Sequence, residues 1–267
     1  MTIAIALTIA GSDSSGGAGI QADLKSFSAL GVYGASVITA LTAQNTQGVD
    51  ALYPVPPTFV RSQIDAVRGD LMVDAIKIGM LGNADIVAVV AEGLQAWPQL
   101  PTVLDPVMVA QSGAALIDDR AVSTLVDLLF PLVSLVTPNL PEAARLLEGE
   151  IARNENEMAE QGQALLQRGA GAVLIKGGHG EGLEAVDVLV TKTSVERFTT
   201  PRLATKNTHG TGCSLSSAIA AGLAQGLTLV PAIAQAKEWL TGAIASADEL
   251  NVGKGPGPVH HFYRLWR

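Results

Sequence analysis

The chain has 267 residues, of which 48% are hydrophobic and 16% charged, with a net charge of −8 and a pI near 5.0. This acidic balance argues against a general nucleic-acid binder, which carries a basic face. With Cys213 as the only cysteine, no intrachain disulfide is possible. The N-terminus has no signal-peptide pattern, and no apolar run approaches the roughly 20 residues that span a bilayer. We therefore expect a cytoplasmic protein that neither enters a membrane nor binds nucleic acid.

Strand-like and helical segments alternate along the first half of the chain. Apolar residues alternate over 3–10 and break at Gly11, whereas 20–30 has helical spacing and stops at Gly31, a common residue after a helix. The next predicted elements, in chain order, are a strand over 37–42, a helix over 58–69, a strand over 75–80, a helix over 84–97 and a strand over 102–105.

The same alternation continues in the second half. The predicted elements are a helix over 120–130, a strand over 132–137, a helix over 155–168, a strand over 172–176, a hairpin of 187–190 with 197–199, and helices over 212–224 and 231–250. Such alternation predicts an α/β fold of three layers (αβα), with a mostly parallel central sheet and helices on both faces. No linker, charge block or repeat divides the chain, so residues 1–267 are predicted to form a single domain.

Polar or small residues fall repeatedly where the predicted strands end. Ligands of open α/β sheets bind beyond the carboxyl ends of the strands. The residues at six successive strand ends are Gly11, Gln44, Met80, Asp105, Asn139 with Glu142, and Lys176. Their recurrence predicts a long cleft across one edge of the sheet.

The strongest local signal is the segment 207–213, Asn-Thr-His-Gly-Thr-Gly-Cys, which runs into an alanine-rich helix. Two glycines allow close backbone approach, and the amides and dipole of a helix N-terminus attract anions. A plain glycine turn that starts a helix explains the same residues. No Walker A motif occurs, so a kinase of this sequence is not of the P-loop type.

Three further features have both a structural and a functional interpretation. The glycine-rich segment 11–19 is either a tight turn or a loop that closes over substrate. Asn139 and Glu142 have the spacing of a helix capping box, and Glu142 could equally lie beside a magnesium-bound phosphate. Asp105 could cap a turn or help hold the metal. Lys176 ends a buried strand, where a positive charge favours contact with phosphate.

Together these segments resemble the hydroxymethylpyrimidine/phosphomethylpyrimidine kinases of the ribokinase-like superfamily. The resemblance covers essentially the whole chain. Its blocks are residues 7–23, 42–46, 77–81, 104–108, 137–143, 176–179, 209–213 and 253–260.

The resemblance implies a ribokinase-like fold and ATP-dependent phosphorylation of 4-amino-5-hydroxymethyl-2-methylpyrimidine, and then of its monophosphate, in thiamine biosynthesis. It also implies Mg²⁺ as cofactor and a homodimer. The implied catalytic residues are Gly210, Thr211, Gly212, Cys213 and Lys176, and Thr208, Gly210, Gly212 and Lys176 contact ATP. Asp105 and Glu142 organise Mg²⁺, while Gln44 reads the aminopyrimidine between Gly11, Ala18, Met80 and Val107.

The resemblance also implies that Cys213 stands where sugar-kinase relatives carry a catalytic aspartate. A helix N-terminus lowers the pKa of a thiol, so we expect some thiolate at neutral pH. Only the alcohol needs a base, because a phosphomonoester with a second pKa near 6 is already mostly dianionic at pH 7. Cys213 could instead be a small buried core residue.

Three alternative functions are considered. A pyridoxal kinase has the same architecture and differs in the ring it recognises, although Gln44 and Met80 favour a pyrimidine. Cys213 with His209 could form a cysteine hydrolase dyad, but such pairs usually join distant segments rather than one tight loop. A catalytically silent metabolite-binding module is the third alternative. It would have no need for Lys176, Asp105, Glu142 and an anion-binding loop over residues 209–213, called the anion loop below, all together.

Overall fold

The structure is a computed structural model that describes residues 2–109, 113, 116–180 and 182–266. Within these residues the central sheet has nine strands: β1 (Ile5–Asp13), β2 (Tyr33–Asn45), β3 (Gly48–Pro54), β4 (Ala75–Ile78), β5 (Thr102–Leu104), β6 (Leu135–Val136), β7 (Val173–Ile175), β8 (Glu184–Val190) and β9 (Val195–Pro201). No helix in the described part of the chain is long and apolar enough to cross a membrane.

The strand order places consecutive βα units side by side. The order is β3-β2-β1-β4-β5-β6-β7-β8-β9, with parallel pairing from β2 through β7 and antiparallel pairing at both edges. The central strands are short and wholly buried, as expected of parallel strands covered on both faces. Because they are parallel, their carboxyl ends meet along one edge of the layer.

Helices cover both faces of the sheet and divide the core in two. They are α1 (Gly19–Ala29), α2 (Pro57–Asp70), α3 (Ala84–Leu94), α4 (Asp119–Leu129), α5 (Leu140–Leu147), α6 (Glu155–Gln167), α7 (Thr211–Ala224) and α8 (Leu229–Ala245). One buried cluster joins the sheet to α2 through α6, and a second joins it to α1, α7 and α8. The predicted three-layer α/β architecture is therefore confirmed.

Several predicted boundaries were wrong. The first two strands run further than expected, so Gly11 and Gln44 lie within β1 and β2 rather than after them. The pairing of β1 with β2 shifts register between Ala10 and Ser12, as at a β-bulge, and then continues to Asp13 and Thr42. The strand expected over 132–137 contains only Leu135–Val136, because residues 130–132 form a 3-10 turn that includes Pro131.

Two elements were not predicted from the sequence. β3 is an edge strand whose residues 50–54 are all exposed, so it has no alternation between buried and exposed positions. α5 has only eight residues, too few for a clear helical periodicity, although its capping residues were recognised. The last predicted helix, over 231–250, ends at Ala245 and is followed by a 3-10 turn over Ala247–Glu249.

Candidate active site

A cleft of about 800 Å³ runs along the carboxyl edge of the sheet. All of the site residues predicted from the sequence line it: Gly11, Ala18, Gln44, Met80, Asp105, Val107, Glu142, Lys176, Thr208, Gly210, Thr211, Gly212 and Cys213. The anion loop therefore opens toward the same space as Gln44 and Asp105, as the sequence predicted.

The loop that begins α7 requires its glycines. Gly210 is the N-cap and has a left-handed φ of 77°, and a Cβ there would collide with the carbonyl oxygen of Gly17. A Cβ on Gly212 would lie 3.3 Å from Nζ of Lys176 and 3.6 Å from Oδ2 of Asp105. The helix N-terminus is thus packed directly against the lysine and the carboxylate, with no side chain between them.

Lys176 lies between two carboxylates. Its Nζ is 2.6 Å from Oδ1 of Asp105 and 3.9 Å from Oε2 of Glu142, and little of any of the three side chains is exposed. Burial alone would lower the pKa of Lys176, but the charges of Asp105 and Glu142 outweigh it and hold that pKa above its usual range. Lys176 is therefore a permanent positive charge in the cleft.

Glu142 forms the capping box considered for it and also faces the cleft. The Asn139 side chain accepts a hydrogen bond from the Glu142 amide at 2.9 Å, and Oε2 of Glu142 accepts one from the Asn139 amide at 2.7 Å, which completes the capping box. The same carboxylate lines the cleft. Burial raises the pKa of Glu142 to about 7, with a smaller lowering effect of Lys176 and a raising effect of Asp105.

The expectation for the thiol of Cys213 was wrong. Burial raises the pKa of Cys213 to about 11; Lys77 opposes this rise, and the negative charges of Asp23 and Asp105 add to it. Desolvation of the thiolate and two nearby carboxylates thus exceed the effect of the helix N-terminus. The environment of Cys213 therefore favours the neutral thiol over the thiolate at pH 7.

The opposite end of the cleft forms a small apolar pocket. The Gly11 amide donates to the Met80 carbonyl at 3.1 Å, and a Cβ on Gly11 would collide with the Met80 methyl group. Val107 and Ala18 line the same space. Gln44 is the amide side chain at this end, with its Oε1 3.1 Å from Oγ1 of Thr42.

Asp13 and His209 form a buried pair that sequence reasoning missed. Nε2 of His209 lies 2.9 Å from Oδ2 of Asp13, although 196 residues separate them. Burial alone would raise the pKa of Asp13, but hydrogen bonds from His209, Ser15 and the Ala18 amide hold it well below its usual range. The contact from Asp13 to the residue two positions on is typical of an Asx turn, which offered a signal in the sequence.

Two further buried pairs support the cleft, and both include a residue that lines it. Nζ of Lys77 lies 2.9 Å from Oδ2 of Asp23, beneath Cys213, and both side chains are fully buried. Nζ of Lys237 lies 2.6 Å from Oδ2 of Asp187, whose other oxygen accepts from the amide that follows Lys176 at 2.9 Å. Asp187 is a charged residue within an otherwise apolar stretch of β8, and this was the signal in the sequence that could have revealed the pair.

The three-layer fold, with an anion loop, a lysine and two carboxylates at the carboxyl edge of its sheet, defines a ribokinase-like small-molecule kinase. The chain is 35% identical to Bacillus subtilis pyridoxal kinase, solved as an ADP complex, with a TM-score of 0.89 over 99% of this chain and all of that one. It is 44% identical to phosphomethylpyrimidine kinase from Clostridium difficile 630, with a TM-score of 0.80 over 91% of this chain and all of that one.

The sequence relatives identify the family more narrowly. The family described as phosphomethylpyrimidine kinase matches residues 13–260. The hydroxymethylpyrimidine/phosphomethylpyrimidine kinase of Escherichia coli K12 is 56% identical over 261 residues, which cover 98% of each chain. The chain belongs to the phosphomethylpyrimidine kinase family. The predicted family is confirmed, and the hydrolase and silent-module alternatives gain no support.

Proposed function

We propose that this chain transfers the γ-phosphoryl group of ATP to the hydroxymethyl oxygen of 4-amino-5-hydroxymethyl-2-methylpyrimidine. It then phosphorylates the resulting monophosphate to the diphosphate, in thiamine biosynthesis. The observation that carries this proposal is the single cleft in which the anion loop, Lys176 and two carboxylates lie near a small pocket containing Gln44. The 56% and 44% identical relatives are kinases of this class, which supports the same reaction.

The phosphates of ATP are assigned to the N-terminus of α7 and to Lys176. Backbone amides and the dipole of a helix N-terminus stabilise negative charge there, and the buried ammonium adds a full positive charge. Thr208 closes this loop, since its carbonyl accepts from the Thr211 amide at 3.2 Å and from the Thr211 hydroxyl at 2.6 Å. Phosphoryl transfer depends mainly on such positioning and charge neutralisation.

Asp105 and Glu142 fit a magnesium ion that arrives with the nucleotide. The described residues contain no group of three or more His, Cys, Asp or Glu that could hold a metal by themselves. Mg²⁺ does not need such a cage, because it usually keeps several waters and takes one or two carboxylates together with substrate phosphates. Two buried carboxylates next to Lys176 match that donor set. When bound, the ion would neutralise charge on the phosphates.

The acceptor is assigned to the pocket around Gln44. A carboxamide presents an acceptor and a donor side by side, which complements a ring nitrogen beside an exocyclic amine. Met80 and Val107 provide apolar walls for the ring. A new bond forms between the hydroxymethyl oxygen and the γ-phosphorus as the bond to ADP breaks. The thiolate form of Cys213 is the proposed acceptor of the hydroxyl proton.

The purine base is assigned to the far end of the cleft. This end is formed by β9 and α8, at the opposite edge of the sheet from the β2 strand that carries Gln44. Leu203, Leu240 and Ile244 line it and offer apolar surface to a planar base. The homodimer and the cytoplasmic location expected from the resemblance stay predictions.

The reaction is tested by incubating the protein with Mg-ATP and the pyrimidine alcohol, then resolving the mono- and diphosphate products. We expect both products, and we expect Lys176→Met to lower kcat by about two to three orders of magnitude. An exposed lysine variant, Lys192→Met, is the matched control. Pyridoxal is assayed as the comparison substrate, because the 35% identical neighbour is a pyridoxal kinase. A kcat/KM for pyridoxal equal to that for the pyrimidine would contradict the proposed specificity.

A further inference from the structure

The His209 ring is fixed in place beside Gln44. Its Nε2 lies 2.9 Å from Oδ2 of Asp13, and only 7% and 3% of the two side chains are exposed. The ring packs against Gly17, where a Cβ would collide with it. The His209 amide donates to the Gly257 carbonyl at 3.0 Å, so the backbone is held as well.

The contact with Asp13 determines which atom of the ring carries a proton. Asp13 already accepts hydrogen bonds from the amides of Ser15 at 2.8 Å, Gly17 at 3.1 Å and Ala18 at 2.8 Å, as expected of an ionised carboxylate. A carboxylate oxygen can only accept, and an unprotonated ring nitrogen at 2.9 Å would repel it. Nε2 of His209 is therefore an N–H group.

Gln44 faces this N–H group and the hydroxyl of Thr42. Nε2 of Gln44 lies 3.4 Å from Nε2 of His209, a protonated ring nitrogen that has no lone pair to accept from the Gln44 NH₂ group. Oγ1 of Thr42 lies 2.9 Å from the Ser12 carbonyl and 3.1 Å from Oε1 of Gln44, but it has one proton for these two acceptors. The Ser12 carbonyl can only accept, so the proton belongs there. A lone pair of Thr42 then faces Gln44.

The carboxamide resolves both conflicts if it turns by half a rotation, because its NH₂ group then donates to Thr42 and its oxygen shares the His209 N–H with Asp13 in a three-centre hydrogen bond. Its oxygen and nitrogen have nearly the same shape, so hydrogen bonding alone determines which atom lies where. We propose that Asp13 and His209 are positioning residues that, with Thr42, hold the Gln44 oxygen toward His209 and its NH₂ group toward Thr42. This inference rests on the function proposed above, because it assigns Gln44 to the acceptor.

A fixed carboxamide discriminates between rings by polarity. An aminopyrimidine offers a donor amine beside an acceptor nitrogen, which one amide orientation matches. The 4-oxo analogue has the same shape with an acceptor oxygen beside a ring N–H, so it needs the opposite orientation. In this protein that orientation places the Gln44 nitrogen against the His209 N–H. The pair thus makes the pocket selective for the amine.

The test compares the binding of the two pyrimidines by calorimetry, without ATP. His209→Phe keeps a ring but removes the N–H. The dissociation constant of the 4-oxo analogue divided by that of the aminopyrimidine measures the selectivity. This variant is expected to lower that ratio by about tenfold, because the loss of one polar contact has an effect of that size. His260→Phe is the matched control, since it replaces another buried histidine that packs on Trp266. It should leave the ratio unchanged. A folded His209→Phe protein with the wild-type ratio would overturn the proposal.

A second measurement on the wild-type protein is independent of the variant's folding. Two-bond ¹H–¹⁵N spectra report which imidazole nitrogen carries the proton, and the chain has only four histidines to assign. We expect Nε2 of His209 to be protonated, and a proton on Nδ1 alone would overturn the proposal. Failure of the proposed function is recognised separately, as the absence of any phosphorylated pyrimidine from wild-type enzyme with Mg-ATP.

Discussion

Cys213 shows how the surroundings of a residue can reverse an expectation drawn from its position. The helix N-terminus alone favours the thiolate, but desolvation together with Asp23 and Asp105 raises the pKa of Cys213 to about 11. The thiolate fraction at neutral pH is therefore very small. If the thiolate is the base, alcohol phosphorylation must become faster as the pH rises.

The first prediction concerns the two phosphorylation steps. Between pH 7 and 9 the alcohol step should accelerate by about tenfold per pH unit, because the thiolate fraction grows tenfold per unit below the pKa. Cys213→Ala should slow this step by about 10²-fold and flatten the profile. The monophosphate step should change little, since its nucleophile is already ionised. Initial rates on each purified substrate at saturating Mg-ATP measure both effects.

Cys213→Ser is the control for this experiment, because a hydroxyl of similar size titrates far above this range. It should behave like the alanine variant in its pH profile. An equal loss of rate in both steps would contradict the base role and leave Cys213 as a packing residue of the cleft wall.

Glu142 provides the second prediction, on stability. Its pKa is raised from 4.5 to about 7, so the folded state favours the protonated carboxyl, and stability is lost as the pH rises through this window. Glu142→Gln is neutral at all pH values and still accepts from the Asn139 amide. It should raise the free energy of unfolding at pH 8 by about 1–3 kcal/mol, without a gain at pH 4. Urea denaturation without nucleotide measures it.

Glu157 is the matched control for Glu142. It is also a capping glutamate, in α6, but 33% of its side chain is exposed against 10% for Glu142, and hydrogen bonding to the Arg153 amide lowers its pKa. Glu157→Gln should therefore destabilise the protein at pH 8, the opposite sign to Glu142→Gln. A stabilising effect of both substitutions would show that removing negative charge from this acidic chain, rather than the local environment of Glu142, is responsible.

At the scale of elements, buried polar pairs join helices to strands beneath the cleft. Asp23 of α1 accepts hydrogen bonds from Lys77 of β4 at 2.9 Å, Thr8 of β1 at 2.6 Å and Ser217 of α7 at 2.6 Å. These contacts fix the helix that carries Cys213 relative to three other elements. The sequence could not reveal them, because the partners lie 15 to 194 residues apart.

The third prediction concerns the buried pair of Lys77 and Asp23. Lys77→Met should cost about 3–5 kcal/mol of stability, because it leaves the buried Asp23 carboxylate without its counter-charge. The double variant Asp23→Asn/Lys77→Met should be more stable than Lys77→Met alone, since a neutral amide keeps an acceptor for Ser217. Urea denaturation of the four proteins completes the double-mutant cycle. Additive effects of the two substitutions would contradict the coupling.

The elements themselves were largely predictable from hydrophobic pattern, and the exceptions have physical causes. The buried strands β4, β5 and β7 are nearly all apolar, and α3 and α6 begin at asparagine caps, so local sequence defined them. β3 was missed because it is exposed on both faces and is held only by pairing with β2. Such a strand forms because it pairs with its neighbour in the folded chain, not because of its own hydrophobic pattern.

At the scale of the whole molecule, strand order concentrates the site. Parallel strands bring Asp105, Glu142 and Lys176 together at one edge, although up to 71 residues separate them in sequence. The sequence indicated each of them because each lies at or after the end of a strand. Asp13 and His209 lie in two segments that the sequence singled out, but their pairing escaped prediction because 196 residues separate them. Their meaning depends on the packing of one glycine-rich loop against another, which only the folded chain shows.

The fourth prediction tests the single domain expected from the sequence. Trp97 packs against the core under α2 through α6, and Trp239 lies in the core under α1, α7 and α8. Trp266 is 59% exposed and can be removed with little cost. The variants Trp239→Phe/Trp266→Phe and Trp97→Phe/Trp266→Phe therefore each retain one tryptophan, on one side of the sheet.

Because both cores share the same central strands, neither should survive loss of the other. In each variant the urea midpoint from tryptophan fluorescence should coincide with the midpoint from far-UV circular dichroism, which follows all the helices. Comparing two probes within one protein cancels any stability change caused by the substitution itself. If fluorescence from Trp239 changed at a lower urea concentration than the dichroism, α7 and α8 would unfold separately. The anion loop would then be on a unit that can open while the remaining sheet stays folded.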